Sequence, residues 1–507
     1  MPRFLTPFSL DEAAAIAALA QVGKVVLGPA EALTVTYLDT FDWRLYSAGL
    51  VMMEELGGRR QLRLLEANAA PYSTAIDVRP TTVGTLPAGH VAERLGPVIG
   101  IRALVPVGSA RTLRRDGRLE DPHGDLVARL RLEEVTALDR HGVPASPPAS
   151  TAWVDSPTAA AALATVDGVV PTVVEHDLAI AAAGQGRTPG DYSSKLRIRL
   201  APGERADRAL RAILLDLLDT IELNVAGTIA DLDSEFVHDL RVACRRSRSA
   251  LTQVKGVLEP EVAGPGNAEL KWLGGVTNPL RDLDVYLLEM PVYRSLLPPE
   301  AVAELTPLEV LLRRSRGRAH RAVVRALRST RFARFSASWR VTLTTDEPSS
   351  APEAARPAAE LAADRIARAH RRILRHGRGL GDDPPAESLH RLRIDAKKLR
   401  YLLEFFASLY PDDEVGARVR ELKGLQDILG GFNDMEVQRR RLAELAEELR
   451  DDPKVSAGCL LALGRLDAAL EARQESYHGA FHDAFSTFTS KPVRRAFGRL
   501  TAMREPS

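Results

Sequence analysis

The spacing of apolar and polar residues changes near residue 200 and divides the chain into two parts. In the first part, apolar and polar residues alternate over short segments, which is typical of half-buried β-strands. Strands separated by Gly- or Asp-containing turns, such as the one at residues 116–117, are predicted at residues 32–38, 50–53, 60–65, 102–107 and 126–135. Together with an Ala-rich helix at residues 10–22, this pattern predicts an α+β domain over residues 1–190, built on an antiparallel sheet or barrel.

From residue 201 onward, apolar residues recur three, four and seven positions apart, which predicts α-helices. The predicted helices cover residues 205–223, 234–257, 268–288, 301–335, 358–375, 386–410, 413–429, 435–449 and 457–485. A turn-rich linker at residues 184–191 precedes this part, and a Pro- and Ser-rich segment at residues 346–357 interrupts it. The sequence therefore predicts an all-α bundle over residues 201–490, made of two halves.

A 49-residue unit occurs twice in the helical part, at residues 237–285 and 389–437, and the copies align without a gap at an offset of 152 residues. VHDLRVACRRSRSAL (237–251) aligns with LHRLRIDAKKLRYLL (389–403). LKWLGGVTNPLRDLDV (270–285) aligns with LKGLQDILGGFNDMEV (422–437). Such an internal repeat predicts two pseudo-symmetric halves.

Each copy opens with a histidine and a regular series of basic residues. On a helix, these positions fall within an arc of about 80°, beside a separate apolar arc that buries the helix. The two basic stripes consist of His238, Arg241, Arg245 and Arg248 in the first copy, and of His390, Arg393, Lys397 and Arg400 in the second. Arg246 and its equivalent Lys398 extend each basic face, and Lys271 and Lys423 occupy matching positions in the next helix.

A basic helix face is usually solvated, and is often neutralised by Glu four residues away. Asp239 and Asp395 are the only acids inside the two stripes, so these helices are expected to lack such partners. Like charges along three turns repel one another, and the arrangement is present twice. The pattern therefore predicts anion binding.

The size of the anion follows from the energies involved. An exposed ion pair contributes about 0.2–1 kcal/mol, whereas micromolar affinity needs about 8 kcal/mol. A polyanion that contacts many cations meets this requirement, helped by counterion release. The Arg-rich segments 313–334 and 365–378 could contribute further cations to such a site. Nucleic acid would call for aromatic, Asn or Gln side chains among the cations, and Tyr401 is the lone aromatic beside a stripe. A phosphate chain without bases is favoured.

Two features leave alternatives open. His238 and His390 could gain charge as the pH falls, or could simply order the first helical turn by hydrogen bonding. Asp282 and Asp284 could bind a metal, although capping or an inter-helix salt bridge is favoured. The helical part contains no GxxxxGK[ST], HExxH or paired Glu-x-x-His motif, and the pairs Gly274–Gly275 and Gly430–Gly431 are interpreted as turn or helix-packing glycines.

Composition places the chain among ordinary globular proteins. Of its 507 residues, 45% are apolar and 27% charged, with a formal net charge of +1. Two distant cysteines predict neither a disulfide framework nor a Cys-rich metal site. No apolar run approaches the roughly 20 residues that span a bilayer, and the N-terminus does not resemble a signal peptide. The expected location is the cytoplasm, without membrane contact.

With its two aligned segments, the helical part resembles the CHAD domain, the conserved-histidine α-helical domain. The resemblance covers residues 201–490. It implies two pseudo-symmetric helical halves, with inorganic polyphosphate bound in a basic central groove that the two stripes line. One departure is the run Ser247–Arg248–Ser249, where the second copy has Leu399–Arg400–Tyr401.

More faintly, YLDTFDWRLYSAGL (37–50) and RLEEVTALD (131–139) resemble segments of the CYTH or triphosphate-tunnel domain. Active members of that family carry an E-x-E-x-K signature in the first strand, which holds a divalent metal and phosphate. The segment MPRFLTPFSLDEAA lacks it. In LVMMEE (50–55), Glu54 and Glu55 stand where relatives place cations and would repel triphosphate. The resemblance therefore implies a degenerate, catalytically inactive tunnel fold.

The sequence thus predicts a two-domain, non-enzymatic protein that binds inorganic polyphosphate without a cofactor and associates with polyphosphate granules. Two alternatives stay open. One is a metal-dependent triphosphatase in the N-terminal domain, supplied with substrate by the helical domain and dependent on Glu133 and Glu134. The other is a helical scaffold whose basic groove docks an acidic protein or nucleic acid.

Overall fold

A computed structural model describes residues 6–9, 12–66, 69, 71–165, 170–173, 175–381, 383–452 and 455–502. The chain divides into two compact units, Met1–Ser193 and Ser194–Ser507. The first is α+β and the second is helical. The fold class predicted from the hydrophobic pattern is confirmed for both parts.

The N-terminal unit is organised around one antiparallel sheet. Its described strands are β1 (Thr6–Ser9), β2 (Lys24–Leu27), β3 (Glu31–Thr40), β4 (Leu50–Leu56), β5 (Arg60–Glu66), β6 (Tyr72–Ala75), β7 (Leu104–Glu120), β8 (Leu126–Ala137), β9 (Ala149–Val154) and β10 (Val170–Pro171). They lie in the order β10-β1-β9-β8-β7-β3-β4-β5-β6, and β2 also pairs with β7. Over the described residues, the two ends of this order do not pair with each other, so the sheet is not closed into the expected barrel.

Short helices cover the sheet: α1 (Glu12–Leu19), α2 (Arg44–Ser47), α3 (His90–Ile99), α4 (Pro157–Ala164) and α5 (His176–Gly184). Apolar residues of α1 and α4 pack against β7, β8 and β9 in one cluster. A second cluster joins α5 to the other part of the sheet, and a third packs α3 on β4 and β5. The buried side of β8 changes along its length, because Leu130 and Leu132 belong to the first cluster and Val135 to the second.

The length of β7 was missed in the sequence. The sequence predicts a strand only at residues 102–107, and it predicts a turn at Asp116–Gly117. Both residues instead pair with β8 inside β7. A Cβ atom at Gly117 would lie 2.8 Å from the carbonyl oxygen of Val26 and 3.2 Å from a Leu130 methyl group. The glycine therefore permits close approach of β2 and β8 rather than a change of chain direction.

The C-terminal unit contains the helices α6 (Ala206–Leu223), α7 (Val225–Ala230), α8 (Ser234–Gln253), α9 (Pro260–Ser295), α10 (Pro299–Val302), α11 (Thr306–Leu327), α12 (Thr330–Thr344), α13 (Ala358–Arg378), α14 (Ala386–Phe405), α15 (Asp412–Arg450), α16 (Ala457–Gly479), α17 (Phe481–Phe488) and α18 (Lys491–Thr501). The helix predicted at residues 301–335 is divided, and Ser329 caps α12 by accepting a hydrogen bond from the amide of Phe332 at 3.2 Å.

The two helices predicted at residues 413–429 and 435–449 are one continuous helix, α15. Gly430 and Gly431 lie in its interior. A Cβ atom at Gly431 would overlap the ring of Tyr477 on α16, whereas one at Gly430 would meet nothing within 4 Å. Gly431 is therefore a helix-packing glycine, one of the two interpretations that its sequence context allowed.

The repeat is longer in the structure than in the sequence. The helices α6 and α13, α8 and α14, and α9 and α15 start at residues 206 and 358, 234 and 386, and 260 and 412, always 152 residues apart. Residues at this offset are called equivalent below. All six helices contribute to one apolar core. The pseudo-symmetric halves therefore share a core, with α8 in contact with α14 at its centre.

Candidate anion-binding site

The apolar faces of α8 and α14 position the two basic stripes. Leu240 and Cys244 on α8, and their equivalents Leu392 and Ala396 on α14, are at most 1% exposed in the shared core. Burial of these faces fixes the rotation of each helix. The stripes consequently flank the buried surface, as the helical spacing predicted.

The two copies are joined by hydrogen bonds between α8 and α14. Arg245 donates from Nε to the hydroxyl group of Tyr401 at 2.8 Å. The next residue, Arg246, donates from Nη2 to Glu404 Oε2, also at 2.8 Å, and Glu404 lies about one helical turn after Tyr401 on α14. These contacts place a stripe residue of the first copy directly against the helix that carries the second stripe.

Lys397 lies where the two stripes meet. Burial and the positive charges of Arg393, Arg245 and Arg400 lower the pKa of Lys397 to about 8, against a smaller opposing effect of Asp434. Two of these arginines belong to its own helix and one to the other copy. In the described part of the chain, Lys397 has no carboxylate within salt-bridge distance. The stripes therefore form one cationic surface that is not fully compensated by the protein.

The next helix in each half contributes an equivalent acid. Arg241 Nη1 lies 4.0 Å from Asp282 Oδ1, and Arg393 Nη2 lies 3.0 Å from Asp434 Oδ1. Asp282 and Asp434 are equivalent residues, and their side chains are 65% and 59% exposed. The Arg241 and Arg393 side chains are each 17% exposed, so only the acid of each pair lies open to solvent, where an ion pair contributes about 0–1 kcal/mol. The acids hold the arginines in place at little cost to an incoming anion.

The two histidines have different surroundings. His390 is exposed, and its Nδ1 lies 2.6 Å from Asn433 Oδ1 on α15. Because the amide oxygen is an acceptor, Nδ1 carries the hydrogen in this contact. His238 is half-buried on α8, and the residue equivalent to Asn433 is Arg281. The contact of His390 orders α14 against α15, rather than the first turn of its own helix.

Two expectations about the acids were wrong. Arg400 does have a Glu four residues away, because its Nε donates to Glu404 Oε1 at 2.7 Å. The same Glu404 also binds Arg246, whose Nη1 donates to the carbonyl of Ser194 at 2.9 Å. Arg246 therefore does not extend an open basic face. Glu404 follows the stripe in sequence, and its contact across to α8 depends on tertiary packing.

The remaining predicted cations lie around the stripes. Arg248 donates from Nε to Asn267 Oδ1 at 3.4 Å. Lys271 on α9 and Lys423 on α15 are exposed. Lys398 instead lines a separate cavity between α8, α13 and α14. The structure thus places Arg245 of the first stripe near Lys397 of the second, while Lys398 lines a different surface. Arg246 shares Glu404 with the stripe residue Arg400.

Part of the Arg-rich segment 313–334 is neutralised by acids. Arg316 of α11 binds both Asp231 and Asp284, with its Nε 2.6 Å from Asp284 Oδ1. This is the salt bridge that the sequence favoured over a metal ligand for Asp284. Arg313 and Arg331 pair with Glu309 and Glu269. These arginines add little positive charge to the site.

In the N-terminal unit, the carboxylates of Glu55 and Glu133 are bound by arginine side chains. Glu55 is 4% exposed and is bound by Arg63 at 2.6 Å and by Arg114. Arg114 also donates from Nε to Glu133 at 2.6 Å. Burial raises the pKa of Glu55, but Arg114 and Arg63 outweigh it and hold that pKa at about 2. This donor set does not fit a divalent cation.

The neighbouring acids Glu54 and Glu134 differ from each other in burial. Glu54, expected to repel triphosphate, is buried and accepts from Arg79 Nε at 2.7 Å. Glu134 is exposed, whereas its neighbour Glu133 is buried, because successive residues of β8 point to opposite sides of the sheet. Glu133 and Glu134 therefore cannot act on one substrate from one face.

Among the described helices, none has a sufficiently long and apolar segment to cross a membrane.

Comparison with known proteins gives three results. The family model of the CHAD domain matches residues 212–443. Two uncharacterized proteins from strains of Mycobacterium tuberculosis are each 27% identical over 448 residues, covering 84% of this chain and 85% of theirs. The crystal structure of the CHAD domain from the plant Ricinus communis matches with 27% identity and a TM-score of 0.48, covering 62% of this chain and 97% of that one. PptA from Streptomyces chartreusis matches with 19% identity and a TM-score of 0.44, covering 56% of this chain and 100% of that one. The resemblance of the N-terminal part to CYTH domains stays a prediction.

Proposed function

Because the chain contains a CHAD domain at residues 212–443, we propose that it binds inorganic polyphosphate along the two basic stripes of α8 and α14. The observation that carries this proposal is the hydrogen bond from Arg245 to Tyr401, with Lys397 beside Arg245. It joins stripes that are 152 residues apart in sequence into one cationic surface. A linear polyanion matches that surface better than a single phosphate, which would contact only a few of the cations.

The energetics support a long ligand. Each exposed contact is worth about 0.2–1 kcal/mol, so tight binding must sum many contacts and release counterions. The acids that touch the stripes, Asp282 and Asp434, are exposed and can turn toward solvent when phosphate replaces them. No cofactor is needed for such binding.

We propose no catalytic role for the N-terminal unit. Its interior carboxylates Glu55 and Glu133 are paired with Arg63 and Arg114, so these two carboxylates are not open to a divalent metal. Association with polyphosphate granules follows if the stripes bind long chains in the cell.

The test is calorimetric titration of the full chain with long-chain polyphosphate at several salt concentrations. We expect the logarithm of the affinity to fall linearly with the logarithm of the salt concentration. Short duplex DNA, titrated in competition at the same salt concentration, should not displace polyphosphate. Displacement by DNA at comparable phosphate concentration would favour the nucleic-acid alternative, and absence of polyphosphate binding would refute the proposal.

A further inference from the structure

A cavity of about 390 Å³ lies beside the stripes, between α8, α13 and α14. Basic side chains dominate its lining: Lys255, Arg365, Arg368, Arg372 and Lys398. Asp395 is the one carboxylate among the described lining residues. The helical spacing did not predict this cavity, since three helices that are distant in sequence contribute to it.

Comparison of equivalent residues in the two pseudo-symmetric halves shows why the cavity carries positive charge. Lys398 is equivalent to Arg246 of the other half. In the first half, Arg246 is neutralised by Glu404 at 2.8 Å. Asp216 also lies near Arg246: burial raises the pKa of Asp216, and the charge of Arg246 opposes this effect. The residue equivalent to Glu404 is Thr252, which lines the cavity.

The second acid is also replaced. The residue equivalent to Asp216 is Arg368, another lining residue. One half therefore surrounds its cation with two acids, while the other half has a hydroxyl group and a second cation at those positions. In the first half, the carbonyl of Ser194 also contacts the cation at 2.9 Å. Arg246 is therefore neutralised in the first half, whereas over the described residues its equivalent Lys398 has no carboxylate partner.

The acids near the cavity cancel only part of its charge. Arg368 pairs with Asp364 at 2.8 Å, Arg365 lies 3.5 Å from Glu353, and Arg372 lies 3.9 Å from Asp395. Asp395 is 5% exposed and is bound by Nδ1 of His376 at 2.7 Å. Over the described residues, Lys255 and Lys398 have no carboxylate within salt-bridge distance. The Nε of Arg365 is buried without a hydrogen-bond acceptor. A buried donor without a partner is costly, and an oxyanion of suitable size would supply acceptors to it and to the lysines.

We propose that this cavity is a second anion site, which binds a short phosphate oxyanion such as pyrophosphate. Lys255 and Lys398 supply charge, and the Nε of Arg365 supplies an unpaired donor, on one concave surface, as phosphate groups require. The ligand is either a free short phosphate or the terminal group of a longer chain. The site does not depend on polyphosphate binding along the stripes.

The decisive variant is Thr252→Glu, which places an acid where Glu404 neutralises the equivalent cation. Thr252 is exposed, so the substitution recreates an arrangement that the fold already contains. We expect it to weaken pyrophosphate binding at least tenfold in calorimetric titration. Lys397→Glu, which alters the stripes, should change that affinity less than threefold. Lys398→Gln provides a second variant that removes cavity charge, in case Thr252→Glu fails to fold.

The source of the phosphate is settled by parallel titrations with orthophosphate, pyrophosphate and long-chain polyphosphate. Loss of pyrophosphate affinity in Thr252→Glu supports a site for free short phosphates. A loss confined to long-chain polyphosphate supports binding of a chain end. If both Thr252→Glu and Lys398→Gln bind all three ligands like the wild type, or if only Lys397→Glu loses pyrophosphate binding, the second site does not exist. Wild-type pyrophosphate binding without polyphosphate binding would instead overturn the proposal for the stripes alone.

Discussion

Arg245 and Tyr401 belong to different copies of the repeat, yet the Nε of Arg245 donates a hydrogen bond to the Tyr401 hydroxyl at 2.8 Å. Tyr401 is 8% exposed, and its first-copy equivalent is Ser249. The contact is therefore asymmetric in a domain whose helices are otherwise repeated. It fixes one stripe against the other at the centre of the domain.

Tyr401→Phe should lower the free energy of unfolding by about 1 kcal/mol, because it leaves Arg245 without this acceptor. Chemical denaturation measures the change. Tyr410→Phe is the matched control: the Tyr410 hydroxyl is buried without a hydrogen-bond partner over the described residues, so its removal should not destabilise the protein. Equal destabilisation by the two substitutions would contradict the role assigned to the Arg245 contact.

Polyphosphate binding should depend on pH through Lys397. With a pKa of about 8 in the free protein, Lys397 is largely charged at pH 7 and largely neutral at pH 9. Binding of a polyanion favours the charged form. At pH 8, titration calorimetry in two buffers of different ionisation enthalpy should show uptake of about half a proton per site. Lys397→Arg should abolish this uptake, and unchanged uptake in that variant would exclude Lys397 as its source.

Gly431→Ala and Gly430→Ala should have opposite effects on stability. The added methyl group at Gly431 overlaps the Tyr477 ring, and such overpacking costs about 1–3 kcal/mol. At Gly430 the methyl group meets nothing, and alanine favours the helix by up to about 1 kcal/mol. Thermal unfolding of both variants checks the prediction. A loss of stability in Gly430→Ala would contradict the assigned packing.

Asp177 should make the N-terminal unit less stable as the pH rises. Burial, reinforced by Glu133 and opposed by Arg63 and Arg114, raises the pKa of Asp177 to about 7. Its unfolded pKa is about 4. Between these values the folded state holds more protons than the unfolded state, so stability falls with increasing pH and the full penalty applies above pH 7.

Asp177→Asn should therefore unfold at a higher temperature than the wild type at pH 8, with little difference at pH 4. Calorimetry of the full chain at the two pH values measures this difference. A stabilisation that is equal at both values would show that ionisation of Asp177 is not responsible.

The hydrophobic pattern predicted the helices and the repeat because both depend on local spacing. It placed Leu240 and Leu392 in the core and the stripes beside them, and the structure agrees. It did not predict the partners of those cations. Glu404 binds Arg246 across two helices, and Asp434 binds Arg393 from α15. Such contacts depend on how helices cross, which a single periodic pattern does not specify.

The roles of Gly117 and Gly431 also could not be predicted from the local sequence pattern. Asp116–Gly117 and Gly430–Gly431 have compositions typical of turns, yet both lie inside regular elements. Gly117 and Gly431 are required there by a neighbouring strand and a neighbouring ring, respectively. Their role was set by packing from residues far away in sequence, so only the folded chain distinguishes it from a turn.

Reversing the charge on both stripes at once tests whether polyphosphate binds along them. The variant carries Arg241→Glu, Arg245→Glu, Arg393→Glu and Lys397→Glu. A matched control reverses four exposed arginines outside the stripes: Arg391, Arg450, Arg473 and Arg495. The two variants have the same net charge. Their long-range electrostatic interactions with polyphosphate, which salt screens, are therefore equal. Circular dichroism establishes that each is folded.

Titration with long-chain polyphosphate at physiological ionic strength then compares the two. We predict that the stripe variant loses about a hundredfold or more in affinity, while the control stays within about threefold of the wild type. Equal affinities of the two folded variants for polyphosphate would contradict the assignment of binding to the stripes of α8 and α14.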